Sequence, residues 1–159
     1  MQLTRFTDFG LRVLMYLTRH DRALPITIAE IATQFGVPHN HLIKVTHRLT
    51  RLGWVASVRG RKGGLRLAVP AAELRLGGVL RELEKHEDLI NCTEPLCVLA
   101  QDCLLKSALD AGLAAFYAKM DDYTLADVSG QQTGEKIIQL QRSFLALLSP
   151  GGITHDVAR

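Results

Sequence analysis

TIAEIATQFGVPHNHLIKVTHRLTRLG, residues 27–53, decides the fold of this chain of 159 residues. It opens on Thr27 with Glu30 three residues later, the spacing of a capping box, in which a hydroxyl and a carboxylate satisfy the exposed amides at a helix start. Ile28, Ile31 and Phe35 follow at helical spacing, and Gly36 and Pro38 stop the helix. The remainder predicts a second helix with Leu42, Val45, Leu49 and Leu52 on one stripe. Asn40, Lys44, His47, Arg48 and Arg51 fall on the opposite side, and Gly53 is placed as the stop. Two helices this close, joined across a glycine, are the sequence form of a helix-turn-helix.

Toward the carboxyl end, WVASVRGRKGGLRLAV, residues 54–69, predicts two short strands around a basic, glycine-rich tip containing Arg59, Arg61 and Lys62. A helix-turn-helix followed by such a hairpin is a winged helix. Its second helix offers Asn40, His41, Lys44 and Arg48 to a major groove, and the wing offers Arg59, Arg61 and Lys62 to adjacent phosphates or the minor groove. Toward the amino end, Phe6, Phe9, Val13, Leu14 and Leu17 predict a first helix over about Thr4 to His20. A solvated basic helix face and ordinary turn chemistry are the plainer readings of these features. Their order and shared charge favour DNA.

That charge is unevenly divided. The net charge is +3, with +8 on residues 1–70 and −5 on the rest. A basic half of this kind suits a polyanion. An apolar content of 47% is enough for a packed core. No run approaches the roughly 20 apolar residues of a membrane span, and the first residues lack a signal-peptide pattern. The expected location is the cytoplasm, without a membrane partner, where thiols stay reduced.

After Pro70, RLGGVLRELEKHE (75–87) predicts a short helix packed on the head. CLLKSALDAGLAAFYAKM (103–120) predicts a long one, apolar at Leu105, Leu109, Leu113 and Phe116, with alanine around much of the remaining circumference. A helix apolar on most sides must be buried, either on its own head or against a second subunit, and the small head favours a homodimer. YTLADV (123–128) predicts one more helical turn. The expected architecture is thus mainly α: a winged-helix head over 1–80, a loop and dimerisation helix over 81–128, and a tail over 129–159.

All three cysteines, Cys92, Cys97 and Cys103, fall in NCTEPLCVLAQDC, residues 91–103. Their C-x4-C-x5-C spacing lets thiolates converge on one centre, although zinc knuckles and ferredoxins use other spacings. Buried inert thiols, or one disulfide plus a free thiol, are the structural alternatives. A fourth ligand has several candidates: Glu94 and Asp102 inside the loop, His86 and Glu87 before it, and Asp8 on the first helix. Arg12, four residues after Asp8, is that carboxylate's ordinary ion-pair partner.

LTRFTDFGLRVLMYL, HNHLIKV, VRGRKGGLRL, VLRELE, the three-cysteine loop and YTLADV, in this order, resemble the nitric-oxide-sensing NsrR branch of a family of dimeric iron-sulfur winged-helix regulators that also includes IscR. The resemblance runs from residue 1 to about 128. It implies an iron-sulfur cluster, 4Fe-4S in preference to 2Fe-2S, held by Cys92, Cys97 and Cys103. It further implies a cluster-loaded dimer on double-stranded operator DNA and nitric oxide as the signal that dismantles the cluster. In relatives the fourth ligand can be a carboxylate near the amino terminus of the other subunit, and Asp8 occupies that position. IscR-like relatives use a histidine three residues after the third cysteine, where this chain has Lys106.

The expected function is therefore a transcription regulator, a repressor, and no enzyme: no Ser/His/Asp set, phosphate loop or dinucleotide fingerprint is present. A regulator of iron-sulfur supply or redox state would share every site. An electron carrier and a zinc-stabilised DNA-binding module are the readings from other classes.

Overall fold

The structure is a computed structural model describing residues 2–19, 22, 24–58, 60, 63–84 and 88–148. Helix α1 (Arg5–Leu17) starts at Thr4, whose Oγ1 accepts from the Thr7 amide at 3.3 Å. It buries Phe9, Val13, Leu14, Tyr16 and Leu17. Helix α2 (Ile28–Phe35) and helix α3 (His39–Arg51) form the helix-turn-helix. Gly36 ends α2 at φ +61°, a left-handed conformation that glycine adopts without steric cost. Strands β1 (Val55–Val58) and β2 (Gly64–Leu67) pair antiparallel, with Val55 opposite Leu67 and Val58 opposite Gly64. The Leu65 amide also donates to the Ile26 carbonyl at 2.8 Å, so the segment before α2 lies against β2. A Cβ at Gly64 would stand 2.5 Å from that of Pro25, which explains the glycine there.

The expected winged helix is therefore present, on a core of Val13, Leu14, Ile31, Leu42, Val45, Leu49, Val55 and Leu65. One local expectation fails. Thr27 Oγ1 does cap α2 by accepting from the Glu30 amide at 3.1 Å. The Glu30 carboxylate, however, does not return to Thr27. It is buried, accepts from the Tyr16 hydroxyl at 2.7 Å and pairs with Arg22, so that a capping position has become a tie between α1, α2 and their connection.

After a 3-10 turn at Ala71–Glu73 come helix α4 (Leu76–Glu84) and, beyond the cysteine loop, helix α5 (Leu104–Asp121). The carboxyl half of α5 packs on α4. Asp121 accepts from the Gly78 amide at 3.0 Å and from Arg81 at 2.7 Å, and the Arg81 guanidinium lies 5.0 Å from the centre of the Tyr117 ring. The bond from Arg81, the largest cause, holds the Asp121 carboxyl below its ordinary range. Helix α6 (Leu125–Val128) is the turn expected from YTLADV, closed by a capping box of Thr124 and Asp127.

One helix lies where the sequence predicts no element. Residues 131–148, within the segment read as a tail, form helix α7 (Gln131–Leu148). It buries Ile137 and Gln141, and the Gln141 amide donates to the carbonyls of Tyr16 at 3.1 Å and Arg19 at 2.8 Å at the end of α1. Residues 149–159 of that tail lie outside the described ones.

Candidate nucleic-acid interface and thiol loop

Helix α3 is fixed by its buried stripe, Leu42, Val45 and Leu49, and this leaves Asn40, His41 and Lys44 exposed on its amino half. The His41 ring stands 6.1 Å, centre to centre, from Phe9 of α1. Arg5, Phe6, Phe9, His41, Lys44 and Val45 line a hollow of about 240 Å³ with an apolar floor. Arg5 is a basic side chain absent from the DNA-facing set expected from the sequence, because it belongs to α1 and not to the recognition helix or the wing. Its signal was its place in the +8 half of the chain.

Arg48 differs from its neighbours on α3. Its Nη2 lies 2.8 Å from Glu82 Oε2 of α4, and its Nε is buried without a hydrogen-bond partner among the described residues. Arg59, Arg61 and Lys62 of the wing tip lie outside the described residues.

The cysteine loop leaves α4 and is shaped by short-range bonds. Asn91 Oδ1 accepts from the amides of Thr93 at 2.9 Å and Glu94 at 3.1 Å, the Cys97 amide donates to the Cys92 carbonyl at 3.0 Å, and Cys103 caps α5. The Cys103 sulfur accepts from the Lys106 amide at 3.4 Å. Lys106 Nζ bridges Asp88 at 2.9 Å and Asp110 at 2.7 Å, joining the residues before the loop to the helix after it. These bonds, Asp110 first, raise the ammonium pKa well above its ordinary value.

All three cysteines are free and half-exposed. Desolvation first, and then the neighbouring Cys97 sulfur, push the Cys92 thiol up. The three thiols fit, in their chemistry, three thiolate positions of an iron-sulfur cluster. They do not yet form a closed set. Among the described residues, no three of His, Cys, Asp and Glu stand together as a metal site.

Glu94 and Asp102 are exposed in the loop, and His86 and Glu87 lie outside the described residues. Asp8 is paired with Arg12 at 2.9 Å and is not grouped with the cysteines of its own chain. Around the loop a further surface is apolar: Leu96, Val98 and Leu99 in the loop, and Leu104 and Leu105 at the start of α5, are exposed, Leu105 at 64%. Among the residues of α5 only Leu113 is buried within the chain. No described helix is long and apolar enough to cross a membrane.

Comparison with known proteins matches residues 3–131 to the profile of the Rrf2 family, described as an iron-dependent transcriptional regulator. Among solved structures, CymR of B. subtilis, the global cysteine regulator, is 22% identical with a TM-score of 0.66, covering 81% of this chain and 96% of that one. The oxidized form of Staphylococcus aureus CymR is 24% identical with a TM-score of 0.67, covering 82% and 98%. T. potens IscR is 23% identical with a TM-score of 0.61, covering 80% and 85%. At these identities the structures speak for the shared fold.

Proposed function

Because the chain belongs to the Rrf2 family, whose regulators bind DNA and typically dimerise, we propose that it is a repressor whose operator affinity is set by an iron-sulfur cluster responsive to nitric oxide. Cys92, Cys97 and Cys103 would hold the cluster, with Asp8 of the partner subunit as the fourth ligand. The observation that carries this reading is the position of the thiols. They lie on the single loop between α4, whose Glu82 holds the recognition helix, and α5, which exposes the apolar surface a second copy would cover.

When bound, the cluster supplies iron that reacts with nitric oxide. The remaining work falls to the chain. Carboxylate oxygen is a poorer partner for iron than thiolate, so Asp8 would be the weakest of the four ligands. Arg12, one turn along α1, pairs with the Asp8 carboxylate of its own chain at 2.9 Å and would hold it whenever it is not a ligand. Arg12 also lies 5.7 Å from the centre of the Phe35 ring at the end of α2, so Asp8 is linked to α2 through Arg12. Asn40, His41, Lys44 and Arg48, with Arg59, Arg61 and Lys62 on the wing, are assigned to DNA, two recognition helices spanning half-sites about 34 to 36 Å apart or a multiple of it.

Anaerobic protein reconstituted with iron and sulfide should be coloured and should protect operator DNA, and nitric oxide should remove both properties. A colourless product would refute the cluster. Equal operator affinity of loaded and cluster-free protein would refute its control of binding. The family's description as iron-dependent favours one second reading, a regulator of iron-sulfur supply on the same sites. Release by an iron chelator with indifference to nitric oxide would select it.

A further inference from the structure

The last turn of α4 sends polar side chains to three different elements. Arg81 reaches Asp121 of α5 at 2.7 Å, Glu84 accepts from the Thr4 amide at the start of α1 at 2.7 Å, and Glu82 holds Arg48 of the recognition helix at 2.8 Å. The first two ties are joints of the scaffold. The third occupies a cation assigned above to DNA, and that cation is bound without complete satisfaction, since the Arg48 Nε is buried with no hydrogen-bond partner among the described residues.

We propose that Glu82 is a positioning residue that gates DNA binding, holding Arg48 against α4 and competing with DNA phosphate for its guanidinium. The pair is weak enough to be displaced. Glu82 is about half exposed and Arg48 less so, so the pair is a partly hydrated one of modest strength. Arg48 also lacks the second, parallel bond to Glu82 that a fork-shaped guanidinium can make with a carboxylate, whereas a phosphate could supply it. DNA must therefore displace Glu82 before Arg48 adds to affinity, and any movement of α4 relative to α3 changes how much it adds. The gate sits on the helix that leads into the cysteine loop. It rests on the assignment of Arg48 to DNA.

The test is a double-mutant cycle on the full chain, with operator affinity measured by fluorescence anisotropy as a function of salt. Glu82→Gln should raise affinity about twofold to fivefold and steepen the salt dependence by about one released counterion. Arg48→Gln should weaken binding, and Glu82→Gln added to it should then change nothing. Unaltered affinity in Arg48→Gln would remove Arg48 from the interface, and the gate with it. Weakened binding in Arg48→Gln together with no gain in Glu82→Gln would overturn the gate alone. An equal gain from Glu82→Gln in both backgrounds would also overturn it, because it would mean a general effect of one negative charge near DNA. Thermal midpoints should stay close to that of the parent, because the pair is partly hydrated.

Discussion

At the scale of the residue, Glu30 shows how one side chain can be given two meanings by sequence and structure. Its spacing from Thr27 suits a helix cap, yet its carboxylate is buried with the Tyr16 hydroxyl and the Arg22 guanidinium. A buried cation without its carboxylate is costly, so Glu30→Ala should destabilise the fold by about 3–5 kcal/mol by stranding the Arg22 guanidinium. Tyr16→Phe should cost about 1–2 kcal/mol, since Glu30 keeps its cation. Burial first, and then Glu30, raise the phenol far above its ordinary pKa of 10.0. The unfolded chain therefore ionises before the folded one. The stability linked to Tyr16 is complete below about pH 10 and is lost as pH rises further, where the unfolded state gives up its proton. Urea titrations between about pH 8 and about pH 11 should show this alkaline decline in the parent and a shallower one in Tyr16→Phe; parallel curves would remove Tyr16 as its source.

At the scale of the element, what was legible in the sequence was local. The stripe of Leu42, Val45 and Leu49, the helix stop at Gly36 and the turn of YTLADV depend on neighbours a few residues away, and all appear as read. Glu82 with Arg48, separated by 34 residues, and Gln141 with Tyr16, separated by 125, depend on the finished fold and leave no periodic mark. The thiol loop lies between these cases: its three cysteines stand together in the sequence, but the proposed ligand from a partner subunit would leave no trace in spacing. Helix α7 was missed because its buried face is partly polar, with Gly134 and Gln141 beside Ile137. Gln141 nevertheless acts as a remote cap on α1, since Tyr16 and Arg19 offer carbonyls near the helix end that would otherwise be short of donors. Gln141→Ala should lower the stability of the full chain by about 1–3 kcal/mol, moving the urea midpoint with an unchanged slope. No shift in that midpoint would mean that α7 is an appendage and contributes no such cap.

At the scale of the whole molecule, an uncovered apolar surface lies among the described residues where the cysteine loop meets α5. A regulator that reads two half-sites needs two heads at a fixed separation, and a helix whose apolar residues are mostly uncovered supplies the means. Leu104 at 85% exposure and Leu105 at 64% stand beside Leu96, Val98 and Leu99. Leu105→Asp changes little within one chain, because that side chain contributes little to its own core. Across a two-fold seam the same substitution places two carboxylates in an apolar contact, where neither has a partner and burial of the charge is costly. The variant should therefore keep its helical circular dichroism, run as a monomer in light scattering and lose operator affinity by about a hundredfold or more, because each head then binds one half-site without the linked second contact. A folded variant that remains dimeric would move the seam away from the start of α5. It would then also separate the apolar surface around the thiols from the surface that pairs the recognition helices, and Asp8 of a partner could no longer be expected to reach Cys92, Cys97 and Cys103 through that seam.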